Sequence, residues 1–154
     1  MKRTLALLAA TALAAALASA AGASNRSSAT VIIQHQLHGC HAWSVDGAAF
    51  KATQSTRLQR GGSITFVDND VMPHLLVQTS GPAKATIAKL ASTMRNMATN
   101  LKGPGLMAHM GASVRATFPK AGTYTFTTKA GEDYTAGIKT IGEDNVLKLK
   151  VVVS

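Results

Sequence analysis

Between His35 and Trp43 the chain reads His35-Gln36-Leu37-His38-Gly39-Cys40-His41-Ala42-Trp43. Three of the five histidines, the one cysteine and the one tryptophan of the chain fall in this stretch. A thiolate beside imidazoles is a donor set that copper, zinc or iron accepts. The alternative is a buried cysteine acting as a small apolar residue beside idle surface histidines. Further soft donors stand in Met107-Ala108-His109-Met110, and His74 follows Pro73. No paired carboxylates, Ser/His/Asp set or phosphate-binding loop accompanies them. The chemistry expected is metal binding without catalysis.

The start of the chain bears on that chemistry. Lys2 and Arg3 precede an apolar run from Thr4 to Leu17, followed by Ala18-Ser19-Ala20 and then Ala23. This is the pattern of a secretory signal peptide, and the apolar run is short for a membrane span. We therefore expect residues 1–23 to be a signal peptide, 24–30 a flexible leader and 31–154 one domain, exported to the periplasm or secreted. A lone cysteine forms no internal disulfide, and a free thiol in an oxidising compartment is a liability, so Cys40 should be buried or ligated.

Losing Lys2 and Arg3 lowers the formal charge from +9 to +7. The excess is scattered, with no basic stretch interleaved with aromatics, which excludes a nucleic-acid module. A scattered positive field still suits an acidic partner protein or an anionic envelope surface.

Period-2 runs supply the elements that must position the donors. Val31-Ile32-Ile33 leads into the histidine cluster; Ala52–Leu58, Ser63–Val67, His74–Gln78, Ala112–Phe118, Thr123–Thr128 and Val146–Val153 follow. Asp68-Asn69-Asp70 is read as turn chemistry, and Pro119-Lys120-Ala121-Gly122 as a hairpin turn. Ile87, Leu90, Met94, Met97 and Leu101 recur at helical spacing, so one helix is predicted over about 83–101, its methionines packing in the core. The fold class is all-β: a sandwich of seven to eight strands with one inserted helix.

At this point the chain resembles the cupredoxin family, the fold of plastocyanin and azurin. Asp68-Asn69-Asp70-Val71-Met72-Pro73-His74 is similar to the loop that delivers that family's first copper histidine. Ala112 to Phe126 resembles its V-x-x-T-F-x-x-x-G-x-Y-x-F segment, and the predicted helix lies between the two, as in azurin. The resemblance implies a Greek-key sandwich, copper as cofactor, electron transfer and His74 as a ligand. It also stops short. Thr127 and Thr128 stand where the family places its cysteine, and residues 129–145 hold no Cys, His or Met. The usual blue-copper loop cannot be built.

In the fold so implied, the loop after the first strand and the segment before Ala112 lie at the copper-bearing end. Those carry Cys40 with His41, and His109 with Met110. The expected metal set is Cys40, His41, His74, His109 and Met110, with His38 as an alternative and His35 outside it. Cys40 and His41 share a face only if the strand bulges, and Gly39 is the residue type that marks a bulge. Thiolate, imidazole and thioether together favour copper over zinc. The function expected is exported electron transfer through this non-standard site, not an enzyme. The alternatives are a periplasmic Cu(I) chaperone or scavenger, a mononuclear copper enzyme, and a metal-free sandwich binding an anionic envelope partner.

Overall fold

Alternation along the strands builds the fold. In β1 (Ser28–His35) Ala29, Val31 and Ile33 point inward; in β4 (Ser63–Asp68) Ile64 and Phe66 do, and in β10 (Lys148–Val153) Leu149, Val151 and Val153. The computed structural model describes residues 26–36, 41–92, 99–130 and 147–154. Its other strands are β2 (His41–Val45), β3 (Thr53–Leu58), β5 (His74–Ser80), β6 (Thr86–Lys89), β7 (Leu106–Met107), β8 (Ser113–Thr117) and β9 (Gly122–Ala130). They form two five-stranded sheets, in the orders β2-β1-β4-β8-β6 and β3-β10-β9-β5-β7. Both are mixed, with β1 parallel to β4 and β3 parallel to β10.

The inward residues of the two sheets share one core, which includes Trp43, Phe66, Phe118, Tyr124 and Phe126. Phe118 meets Tyr124 edge-on at 4.9 Å between ring centroids, and Phe126 lies 5.8 Å from Phe66. Trp43 is wholly buried and donates its indole N–H to Ala52 O at 3.1 Å. The open edge of β2 is covered by Lys51, which exchanges both backbone bonds with Trp43 at 3.1 Å.

Three local expectations are corrected. The polar leader is strand from Ser28 onward, because Ser28–Ile33 pairs in register with Ser63–Asp68. Arg26 is tied down as well, reaching Asp46 and Thr56. The turn from Pro119 to Gly122 is no hairpin: β8 and β9 belong to different sheets, and the turn carries the chain between them. Tyr124 locks that corner by donating to Lys120 O at 2.8 Å.

The predicted helix over 83–101 is replaced, at Thr86–Lys89, by a strand paired with β8; residues 93–98, with Met94 and Met97, lie outside the described residues. Thr86 and Ile87 are β-branched, Ala85 and Ile87 alternate against the core, and the outer edge of β8 offers backbone partners as far as Leu90. At Thr86–Lys89 these outweigh the helical spacing of Ile87 and Leu90. No helix among the described residues is long and apolar enough to cross a membrane.

β7 is held against β5 by a close backbone approach. Leu76 N donates to Gly105 O at 2.9 Å, and a Cβ on Gly105 would stand 2.5 Å from Leu76 O. Gly105→Ala should therefore destabilise by about 1–3 kcal/mol in urea unfolding, the cost of overpacking, whereas exposed Lys120→Ala should change stability by less than about 0.5 kcal/mol.

Candidate metal centre

Four strand ends converge at one end of the sandwich. In the antiparallel β1–β2 pair, His35 lies directly opposite His41. β4 ends at Asp68, and β5 begins at His74, which pairs with Met107 of β7. The side chains are in phase with the core: Asp68 follows Ile64 and Phe66, His74 precedes Leu76, and His41 precedes Trp43. Polar groups thus take the terminal inward position of β2, β4 and β5, so the core ends there in a layer of ligand-type residues.

The turn between β4 and β5 is shaped by its own carboxylates. Asp70 N donates to Asp68 Oδ1 at 3.1 Å, and Met72 N to Asp70 Oδ1 at 3.2 Å. Asn69 N bonds Ile33 O at 2.8 Å, while Gly111 N bonds Asp68 O at 2.6 Å. The turn therefore hangs between the end of β1 and the segment carrying His109 and Met110.

His74 is 0% exposed, and its Nδ1 lies 3.1 and 3.2 Å from the two oxygens of Asp68, itself 0% exposed. A carboxylate only accepts, so Nδ1 carries the proton and Nε2 presents a lone pair. His74 Nε2 is buried and makes no hydrogen bond among the described residues. A buried nitrogen left so is costly. A carboxylate on one imidazole nitrogen and a metal on the other is the usual way such a ring is used.

Beside it, His41 meets His74 edge-on, the ring centroids 4.7 Å apart, and places Nε2 3.0 Å from Asp70 Oδ2. That contact lacks hydrogen-bond geometry. His35 brings Nδ1 to 4.0 Å from the same oxygen and stacks edge-on against His41 at 5.5 Å. These donor atoms of His35, His41 and Asp70 lie within 4.8 Å of one another. Atoms sharing one ion at about 2.0–2.2 Å stand roughly 3 Å apart.

The charge balance of the layer is unusual. Asp68 and Asp70 are both buried, and among the described residues neither pairs with a lysine or arginine; their partners are histidines. Burial raises the Asp68 carboxyl above its ordinary value, the His74 bond offsetting only part of this. At Asp70 burial pushes the same way, but His41, the Met72 amide and the charge of His74 together outweigh it and hold the group low. Imidazole nitrogens with a carboxylate oxygen form a set that fits copper, and also zinc.

The remaining expected donors are placed as follows. Cys40 and the alternative His38 lie outside the described residues. His109 is buried with both nitrogens engaged, Nδ1 to Met110 O at 2.8 Å and Nε2 to Ser92 Oγ at 3.0 Å. Met110 is 44% exposed, whereas Met107, opposite His74, is wholly buried. His35, expected outside the site, belongs to its cluster, because the strand register fixes it across from His41. Sequence reasoning missed Asp68 and Asp70 by treating them as turn residues alone. The signal that would have found Asp68 was its phase with Ile64 and Phe66.

With this geometry in place, comparison with known proteins is informative. The sequence profile of copper-binding proteins of the plastocyanin/azurin family matches residues 41–139. No curated protein is similar enough to match. Among solved structures, rusticyanin from Thiobacillus ferrooxidans is 16% identical over 83% of this chain and 78% of its own, with a TM-score of 0.33. A multicopper oxidase is 11% identical over 83% of this chain and 44% of its own, at 0.37. An inclusion body protein of Burkholderia cenocepacia is 7% identical over 84% and 96%, also at 0.37. At these scores the structural likenesses carry no part of the assignment, which rests on the family profile.

The two carboxylates respond to pH in opposite senses. Asp68, raised above 3.8, binds its proton more tightly folded than unfolded, so it costs stability as pH rises above 3.8. Asp70, held below 3.8, contributes stability above that value and loses it as pH falls further. As pH rises above 3.8, the urea stability of metal-free Asp68→Asn should therefore gain on wild type until the folded-state carboxyl has ionised. A difference that stays constant with pH would contradict burial as the dominant influence on Asp68.

Proposed function

Because this chain belongs to the copper-binding proteins of the plastocyanin/azurin family, we propose that it is an exported one-electron carrier whose copper is held at the His74 end by a non-standard ligand set. The observation that carries this reading is His74 Nε2, buried, without a hydrogen bond among the described residues, and fixed as a lone pair by Asp68. Bound there, copper supplies a one-electron couple. Asp68 keeps the proton on His74 Nδ1 and stops the ring turning. Met107 and Met72, both buried, contribute to the water-poor surroundings of this end, and such exclusion tunes a redox site.

In this reading His74 and His41 are ligands, and Cys40, which precedes His41 in the chain, supplies the thiolate. His109 joins only by exchanging Ser92 for the metal, and Met110 only by turning in from the surface. The family's usual copper loop is not the source, since residues 129–145 offer no Cys, His or Met. Export is proposed on the charged and apolar start of the chain, with residues 1–23 removed and the domain under way by Ser28. A redox or copper-handling partner with an acidic surface is proposed on the net charge, +9 for the full chain and +7 once Lys2 and Arg3 are lost. The protein is read as a carrier and not as an enzyme.

An optical and EPR titration of the mature chain with Cu(II) tests the proposal. Wild type should bind one equivalent, His74→Gln should lose it, and Asp68→Asn should bind about 10–100-fold more weakly. A visible charge-transfer band that vanishes in Cys40→Ser would establish the thiolate ligand. Tight Cu(I) binding without Cu(II) binding would favour a chaperone or scavenger instead. Binding of neither ion would overturn the copper reading and leave a basic sandwich for an anionic partner.

A further inference from the structure

Asp70 is 2% exposed, and its two oxygens have different work. Oδ1 accepts from Met72 N at 3.2 Å and shapes the turn. Oδ2 is turned away from the turn, toward His41 Nε2 at 3.0 Å and His35 Nδ1 at 4.0 Å. A carboxylate that served only to cap the turn would need no second oxygen buried between two imidazoles. A carboxylate that served only as an ion-pair partner would be expected to align with one of them. Instead Oδ2 is turned toward both rings, and one donor atom each of His35, His41 and Asp70 lie within 4.8 Å of one another.

The two imidazoles are held at fixed spacing by the fold, since His35 and His41 are cross-strand partners. Asp70 reaches them because Asn69 N bonds Ile33 O at 2.8 Å, which lays the turn over the end of β1. With Asp68 also buried two residues away, and no lysine or arginine paired with either among the described residues, this end of the sandwich calls for a cation.

We propose that Asp70 is a metal ligand, and that His35, His41 and Asp70 form a two-histidine, one-carboxylate face of the centre that selects divalent ions. The proposal rests on the copper reading above and sharpens it. Carboxylate oxygen is a hard donor and imidazole an intermediate one, whereas Cu(I) is held best by sulfur. The face therefore holds Cu(II) in preference to Cu(I), and Zn(II) competes for it. His35, whose side chain is 57% exposed, is the member through which ions enter and leave.

Competition titrations with Cu(II), Cu(I) and Zn(II) on wild type, Asp70→Asn, His35→Ala and His74→Gln test this, with EPR of each Cu(II) form. Asp70→Asn keeps an oxygen for the Met72 amide, and His35→Ala alters an exposed ring, so the folds should persist by circular dichroism. Both variants should bind Cu(II) and Zn(II) at least about tenfold more weakly and show altered Cu(II) hyperfine splitting, with Cu(I) affinity changed less than about threefold. If both keep wild-type affinities and spectra while His74→Gln loses copper, the carboxylate face is wrong and the copper reading stands. If wild type binds Zn(II) in an Asp70-dependent way but neither copper ion, the face stands and the copper reading fails. Binding of none of the three ions would overturn both.

Discussion

Asp68 and His74, both wholly buried, are bonded to each other across the turn that joins the two sheets at one end of the sandwich. Either group alone would be an expensive thing to bury. Together they fix where β4 ends, where β5 begins and which nitrogen of His74 holds the proton. The turn between them then has little freedom: its amides are claimed by Asp68, Asp70 and the carbonyl of Ile33. That placement lays Asp70 over the β1–β2 strand ends and brings its Oδ2 to 3.0 Å from His41 Nε2 and 4.0 Å from His35 Nδ1.

The strands were legible because burial follows the period-2 pattern, as in Ile64 and Phe66 or Leu149, Val151 and Val153. Connections were less so. Pro119–Gly122 has the residue types of a hairpin, and only the sheet order shows that it changes sheets. A stripe through Ile87 and Leu90 satisfied helical spacing, but β8 supplied an edge to pair with, and tertiary pairing overrode the local preference. The soft donors of the sequence point to His41 and His74 as candidates, and the family resemblance is borne out by the copper-binding profile over residues 41–139. The acids do not stand out, since Asp-Asn-Asp is ordinary turn chemistry until the strand phase places Asp68 inward. His35, expected outside the site, is brought beside His41 by its partner strand, a register that a single sequence does not display.

In the proposed centre, the chemistry follows from which donors the fold can deliver. Imidazole and carboxylate come from rigid strand ends and a tightly bonded turn, the kind of support that holds a ligand geometry. Met110 is on the surface and His109 has both nitrogens bonded, so bringing either in requires rearrangement. The proposed face of His35, His41 and Asp70, taken without the Cys40 thiolate, is harder in character than the Cys/His/Met set that the sequence suggested. It would accordingly favour the oxidised ion.

The most direct measurement is anomalous diffraction at the copper edge from crystals of the mature protein grown with one equivalent of Cu(II). Copper should appear within bonding distance of His74 Nε2, against the layer formed by His41 and Asp70. A copper peak elsewhere on the molecule, with His74 Nε2 hydrogen-bonded to a protein group instead, would contradict the assignment of this end of the sandwich as the metal centre.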